Sequence, residues 1–179
     1  MSDGFIIKKG GSGGDKYYSD FKAFVDRSIT NVTAEMLQGV TNIGDYAFQY
    51  CQSLTSVTIP NSVTSISENA FSYCPSLASV TISSSVTSIG NNAFYGCSSL
   101  TSVTISNGVT SIEGCAFYRC TSLTSVTVQA TTPPTLGSGV FDSTSSNLVI
   151  YVPAESVDAY KAANNWSTYA SKIQAIPSE

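Results

Sequence analysis

The side chains of this chain that could take part in chemistry recur at a fixed interval. Cysteine returns every 23 residues, at Cys51, Cys74, Cys97 and Cys120. A thiolate can act as a nucleophile or as a metal ligand. A zinc site needs ligand pairs two to four residues apart; no two of these four lie so close, and the chain has no histidine. Equivalent positions of successive repeats point the same way, which does not suit a disulfide. We therefore predict a row of buried free thiols that pack as small hydrophobic side chains.

Catalytic chemistry has few candidates beyond these thiols. Without histidine, Ser-His and Cys-His pairs cannot form. Glu68 and Glu113 lie two repeats apart at different repeat positions, so they cannot converge as the two carboxylates of a glycosidase do. Neither a dinucleotide-binding glycine motif nor a P-loop is present. We predict that the protein is not an enzyme and needs no cofactor.

Two sets of side chains are candidates for binding. One set is the outward-facing threonines of the predicted strands: Thr55, Thr58, Thr81, Thr101, Thr104, Thr124 and Thr127. The other set is a strip of tyrosines: Tyr50, Tyr73, Tyr95 and Tyr118. Tyrosine suits sugar and protein contacts because it is rigid and apolar and carries one hydroxyl. Both sets also have a structural interpretation, since threonine suits an exposed strand and tyrosine packs half-buried along an edge.

The elements that position these residues follow the same period. Phenylalanine recurs at Phe48, Phe71, Phe94 and Phe117, and leucine, valine and isoleucine positions repeat with it. A period of about 20 to 50 residues indicates stacked units that bury their apolar faces against one another. Within a unit, residues 54–59 alternate as a strand and residues 63–66 form a second extended segment. Residues 68–73 are predicted as one helical or 3₁₀ turn.

The period divides the chain into four parts. Residues 1–14 end in a flexible Gly-rich arm, and residues 15–28 have the helical spacing of an N-terminal cap. Residues 29–147 are repeats, with a two-residue insertion in the first and a predicted break of the ladder at the prolines Pro133 and Pro134. Residues 148–179 supply a final strand and a helical C-terminal cap, with Pro153 at its start.

The low content of charged residues restricts the kinds of binding partner that this protein can have. Charged residues make up 11% of the chain, and the net charge is −4. No stripe of lysine and arginine could neutralise phosphates, so nucleic acid is not an expected partner. The chain has no apolar run of 18 or more residues, so no membrane insertion is expected. The N-terminal residues also lack the apolar segment of a signal peptide.

The repeat unit is itself recognisable. Residues 54–74, 77–97 and 100–120 resemble the repeats of the BspA-like, or Treponema pallidum-type, leucine-rich repeat family. Residues 150–166 are similar to the C-terminal cap of such proteins. The resemblance implies an α/β solenoid, with short parallel strands in a curved stack of 23-residue repeats and helical caps at both ends. It carries over no catalytic residues.

The family also implies a function. It implies a cell-surface or extracellular location and an adhesion module that binds protein or glycan through a repeat surface. We expect a monomer. The alternative is a structural or assembly component, phage-associated or an intracellular scaffold, docked by its N-terminal arm.

Overall fold

The computed structural model describes residues 28–178, which form a solenoid of two parallel sheets. The strands are β1 (Asn31–Val32), β2 (Asn42–Ile43), β3 (Ser56–Thr58), β4 (Ser65–Ile66), β5 (Ser79–Thr81), β6 (Ser88–Ile89), β7 (Ser102–Ile105), β8 (Ser111–Ile112), β9 (Ser125–Val128), β10 (Thr135–Leu136), β11 (Val149–Val152) and β12 (Ile173–Ala175). The first sheet has the order β1-β3-β5-β7-β9-β11-β12, and the second has the order β2-β4-β6-β8-β10. The predicted N-terminal arm and residues 15–27 of the predicted cap lie outside the described residues.

The sheet register follows the sequence period. Val57 pairs with Val80, which pairs with Val103, so each valine stacks on its equivalent one repeat away. Ile66 and Ile89 are matched in the same way in the second sheet. Because side chains alternate along a strand, a shift of one residue would turn these apolar side chains out to water. The inward residues of both sheets belong to one hydrophobic cluster.

The segment that closes each repeat is not a helix. For residues 68–73, predicted as one helical or 3₁₀ turn, only single i→i−3 turn hydrogen bonds form, from Ala70 to Ser67 and from Ser72 to Asn69. Asn69 and Tyr73 have left-handed backbone conformations, with φ of 54° and 55°. As a result, alternate N–H groups point in different directions. The N–H of Phe71 donates to the carbonyl of Ala93 in the next repeat (2.7 Å), while that of Ser72 donates within its own repeat to Asn69 (3.1 Å). A helical turn would keep its hydrogen bonds inside the repeat, whereas this conformation ties neighbouring repeats together on a third side.

The irregular first and last repeats keep the strand register of the regular repeats. The pairing of Asn31 with Ser56 spans the two-residue insertion of the first repeat. At the other end, the predicted break of the ladder affects only the two prolines, and strand pairing resumes directly after them. Strand β10 begins directly after Pro134, and Thr135 pairs with Ser111 of β8. The prolines precede the strand, where their missing N–H groups remove no strand pairing.

A C-terminal cap closes the stack. It comprises a 3₁₀ helix (Ala154–Ser156), helix α1 (Val157–Ala162), a second 3₁₀ helix (Trp166–Lys172) and β12. Cap side chains donate hydrogen bonds to carbonyl groups of the last repeat: Ser156 Oγ to Thr131 (2.7 Å), Tyr160 Oη to Ala130 (2.7 Å), Asn165 Nδ2 to Leu136 (2.6 Å) and Trp166 Nε1 to Pro134 (2.8 Å). A further repeat would donate backbone N–H groups to these carbonyls. Because no such repeat follows, side chains of the cap provide the donors instead.

Tyr169 completes this cap on the third side of the repeat. Its hydroxyl accepts a hydrogen bond from the backbone N–H of Phe141 (3.2 Å) and donates one to Asp142 Oδ1 (2.8 Å). In the preceding repeat the equivalent N–H, that of Phe117, donates to a carbonyl of the next repeat. The Tyr169 hydroxyl therefore replaces the carbonyl of an absent repeat.

Candidate binding surfaces

The outward face of the first sheet carries a straight row of threonines, here called the threonine row: Thr58, Thr81, Thr104 and Thr127. Successive members are direct partners in the strand register. The first three are exposed and Thr127 is half-buried. A parallel serine row lies two residues earlier on the same strands: Ser56, Ser79, Ser102 and Ser125. The sheet thus presents two adjacent lines of hydroxyl groups.

Hydrogen bonding separates the predicted threonines into two groups. Thr55 Oγ1 donates to the carbonyl of Thr30 (2.9 Å), and Thr124 Oγ1 donates to that of Thr101 (3.3 Å). These two hydroxyls therefore stabilise the stack. Within residues 28–178, the side chains of the threonine row and of Thr101 make no hydrogen bond, so their hydroxyls remain available to a ligand.

The threonine row ends on an aromatic residue that sequence reasoning missed. Tyr151 of β11 pairs in register with Thr127 on one side and with Gln174 of β12 on the other. Val149 shares its outward face and pairs with Ser125. The alternation of residues 148–152 predicted a strand, and its outward positions could have identified Val149 and Tyr151 as part of the surface.

The described strands of the first sheet carry no formal charge. None of the described strands of the first sheet contains an acidic or basic residue. The charged side chains of residues 28–178 lie in turns, in the third side of the repeats and in the C-terminal cap. The described strands of this sheet therefore offer no charged group to a ligand.

The four predicted tyrosines form a row of neighbouring rings, here called the tyrosine ladder. Ring centroids are 5.2 Å apart for Tyr50 and Tyr73, 5.1 Å for Tyr73 and Tyr95, and 5.2 Å for Tyr95 and Tyr118. Between Tyr73 and Tyr95 the tyrosine moves to the preceding position of the repeat. Gly96 occupies the left-handed position that is equivalent to Tyr73, and Tyr95 lies one residue before it.

Stacking limits what the tyrosine ladder can bind. Tyr50 stacks on Tyr73 and Tyr95 stacks on Tyr118, whereas the ring planes of Tyr73 and Tyr95 are tilted by 50°. The guanidinium of Arg119 lies 5.8 Å from the centroid of Tyr118. The exposed fractions of Tyr50 and Tyr73 are 39% and 40%. One face of each ring is therefore covered by a stacked neighbour, which leaves less ring surface to stack on a sugar.

The cysteine row (Cys51, Cys74, Cys97 and Cys120) is buried, as predicted. Each thiol after the first donates to the carbonyl of a phenylalanine in the preceding repeat: Cys74 to Phe48 (3.1 Å), Cys97 to Phe71 (3.2 Å) and Cys120 to Phe94 (3.2 Å). Burial raises the pKa of Cys97, and it raises that of Cys120 to about 12. The thiols of Cys97 and Cys120 are therefore protonated at neutral pH, and a protonated thiol is a weak nucleophile and a poor metal ligand.

The remaining chemical features are few. Cys115, outside the row, is half-buried. Within residues 28–178, no group of three or more Cys, Asp or Glu side chains is arranged to hold a metal ion. The same described residues contain no helix that is both long and apolar enough to cross a membrane.

Two in-register parallel sheets, repeated every 23 residues around one core, define a leucine-rich repeat solenoid, which confirms the predicted fold. The chain belongs to the BspA-type family: the family described as "BspA type Leucine rich repeat region (6 copies)" matches residues 20–148. Leucine-rich repeats generally mediate protein interactions and are typically non-enzymatic. Among curated proteins, no match to this chain is found.

Solved bacterial structures share this fold. A leucine rich cell surface protein from Faecalibacterium prausnitzii is 28% identical over 83% of this chain and 36% of its own, with a TM-score of 0.61. The T. pallidum Leucine Rich Repeat protein is 27% identical over 73% of this chain and 61% of its own, with a TM-score of 0.64. A leucine-rich repeat protein from Bacteroides ovatus, at 24% identity, covers 86% of this chain and 41% of its own, with a TM-score of 0.56. The chain thus spans from about a third to three fifths of the length of these relatives.

Proposed function

We propose that this protein is a non-enzymatic recognition module of the adhesive type, which binds a protein or a glycan through the outward face of its first sheet. The observation that carries this proposal is the threonine row. Its hydroxyls are aligned by the strand register and make no side-chain hydrogen bond within the described residues. An array of aligned, unpaired hydroxyls can bond to a ligand without first breaking bonds in the protein.

The first sheet is a better candidate than the tyrosine ladder. Each ring of the ladder has one face stacked on a neighbouring ring, whereas the sheet's hydroxyls point away from the core. The sheet also continues unbroken through β11 and β12 at the C-terminal end. A surface of this length favours an extended partner that contacts several repeats at once.

A location on the bacterial cell surface belongs to the same proposal. The F. prausnitzii relative is named a leucine rich cell surface protein. A neutral, hydroxyl-rich face suits contact with polymers outside the cell, and binding to it should depend only weakly on salt concentration.

Two variants test the proposal against a panel of immobilised glycans and matrix proteins. Thr81→Arg with Thr104→Arg places two long charged side chains across the threonine row and should weaken binding by about tenfold or more. Ser99→Arg with Ser122→Arg is the matched control, since it adds the same charge at exposed turn positions in adjacent repeats. The control should bind as the wild type does.

A third variant separates the two surfaces. Tyr73→Ala, Tyr95→Ala and Tyr118→Ala together remove most of the tyrosine ladder. If this variant loses binding while the Thr81 and Thr104 pair does not, the ladder is the binding surface. If neither variant loses binding, the repeats are a spacer, and the N-terminal arm of the alternative assembly function becomes the candidate.

A further inference from the structure

We infer that the outward face of the first sheet binds an uncharged, extended β-linked polysaccharide that runs across the strands, with one pyranose ring stacked on Tyr151. This inference names the ligand class of the surface proposed above, and it therefore rests on that proposal.

Tyr151 differs from the tyrosines of the ladder. It lies on a broad sheet face, half-buried beside Thr127 and Gln174. Within residues 28–178 its ring is in no aromatic pair, whereas every ring of the tyrosine ladder is stacked. With Val149 next to it on the same strand, Tyr151 forms an apolar patch at one end of two hydroxyl rows.

The chemistry of this arrangement matches a sugar. A pyranose has an apolar C–H face and a rim of hydroxyl groups, each of which both donates and accepts hydrogen bonds. The patch of Tyr151 and Val149 offers an apolar surface to that C–H face. Thr127 and Ser125 offer hydroxyls, and the exposed Gln174 amide offers two donors and an acceptor.

The described strands of this face have no charged residue, and this restricts the chemical class of ligand that they can bind. A sulfated or uronic-acid polymer would meet no cation on these strands, and a basic peptide would meet no carboxylate. Binding then depends on hydroxyl pairing and aromatic contact alone, which favours a neutral glycan.

The spacing of the repeats favours a β-linked chain in particular. Adjacent repeats hold their buried phenylalanine rings 5.1 to 5.3 Å apart from Phe48 to Phe117. Parallel strands lie about 4.8 Å apart. An extended β-linked pyranose chain advances by nearly the same distance per sugar, so successive sugars meet equivalent residues of successive strands. An α-linked chain coils and loses this match. Weak identical contacts along several repeats then combine into useful affinity.

The experiment is native affinity electrophoresis of the full chain in gels that contain one soluble polysaccharide. Mixed-linkage β-glucan and glucomannan are the extended neutral probes, while dextran and pullulan are neutral α-linked controls. The first two should retard the protein and the last two should not. Tyr151→Ala should weaken retention by roughly five- to tenfold, because an aromatic contact is lost.

Three variants make the result specific. Tyr151→Phe keeps the ring and should retain most binding. Tyr118→Ala removes a half-exposed ring from the ladder and should bind as the wild type does. Thr127→Arg blocks the site beside Tyr151 without removing a ring, so it tests the same site even if Tyr151→Ala folds poorly. It should abolish the retardation.

The outcomes separate this inference from the proposed function. Equal retardation by α-linked and β-linked probes, or no loss in Tyr151→Ala and Thr127→Arg, would overturn the inference. If no polysaccharide retards the protein but an immobilised matrix protein binds, and Thr81→Arg with Thr104→Arg abolishes that binding, the glycan inference fails and the recognition function stands. If binding to every probe is insensitive to the Thr81 and Thr104 pair, both fail.

Discussion

Replacing Phe94 by alanine tests the stacked core most directly. Phe94 has no exposed surface, and its ring lies between those of Phe71 (5.3 Å, 4° between planes) and Phe117 (5.2 Å, 5°). A buried Phe→Ala change costs about 3 to 5 kcal/mol of unfolding free energy. Aromatic contacts add about 0.5 to 1.5 kcal/mol per pair, and Phe94 makes two of them. The neighbouring repeats are held in register by their strands and cannot close the gap, so we expect a loss near the top of that range.

The chain supplies a matched control at the next residue. Tyr95 also lies between two rings, with Tyr118 stacked on it (5.2 Å, 20° between planes) and Tyr73 tilted against it (5.1 Å, 50°), but it is half-exposed. Tyr95→Ala therefore removes a ring of similar size from a similar ladder, and water fills the space. We expect it to cost about 1 kcal/mol. Thr101→Ala, on the exposed face, should cost well under ~1 kcal/mol.

Urea unfolding followed by two signals measures these losses. Far-UV circular dichroism reports on the whole solenoid. The fluorescence of Trp166, the single tryptophan, reports on the buried C-terminal cap. Coincident transitions would support a two-state analysis. A loss for Phe94→Ala within about 1 kcal/mol of that for Tyr95→Ala would refute the assignment of a buried ladder and an exposed one.

A thiol reagent should modify Cys115 in the native protein and the cysteine row only in urea; native reaction of a row thiol would contradict its burial. Tyr160→Phe removes the donor to the buried carbonyl of Ala130 and should cost about 1 to 2 kcal/mol in urea unfolding. Tyr151→Phe, whose hydroxyl has no partner in the described part of the chain, should cost under ~0.5 kcal/mol, and equal costs would argue against the capping bond. Stability should be nearly constant between about pH 6 and 8, since histidine is absent, and should fall above about pH 9. Burial raises the pKa of Cys97 and Cys120, so the folded chain keeps protons that the unfolded chain releases. Cys97→Ala should make that alkaline fall shallower, and an unchanged fall would contradict this cause.

The register of both sheets was predictable from the period alone. When identical apolar residues recur every 23 positions, only one alignment stacks each on its equivalent and keeps all of them inside. The core rows, the strand positions and the outward threonines follow from that single condition. The resemblance of residues 54–74 to a known repeat added the family, which the match over residues 20–148 confirms.

The segment that closes each repeat was predicted as one helical or 3₁₀ turn, and the structure has single i→i−3 turns separated by left-handed residues. A signal for those residues was present. Asn69 and Asn92 occupy left-handed positions, and asparagine tolerates that conformation better than most residues. Ala70 and Phe71 were placed at the centre of a helical or 3₁₀ turn. The sequence of a single repeat contains no information about hydrogen bonds to its neighbour. Those bonds exist only in the stack, and they select the left-handed conformation.

In the C-terminal cap, too, hydrogen bonds to the neighbouring repeat could not be predicted from the sequence. Pro153 and the amphipathic spacing after it predicted a short helix, which the structure contains as α1 and its flanking 3₁₀ turns. Strand β12 and the hydrogen bonds from Tyr160 and Trp166 were not predicted. They depend on which carbonyl groups the last repeat leaves without a partner, and only the packed end of the solenoid shows that.

For the binding surface, the sequence by itself determined which residue types form rows and how far apart those rows recur. Tertiary structure decided which members are available. Thr55 is used by the preceding repeat while Thr58 is not, the tyrosines cover one another's faces, and Tyr151 joins the threonine row across strands 24 residues apart. The reason is physical: period and polarity are properties of one chain segment, whereas a hydroxyl's partner and a ring's exposed face depend on the neighbouring repeat against which it packs.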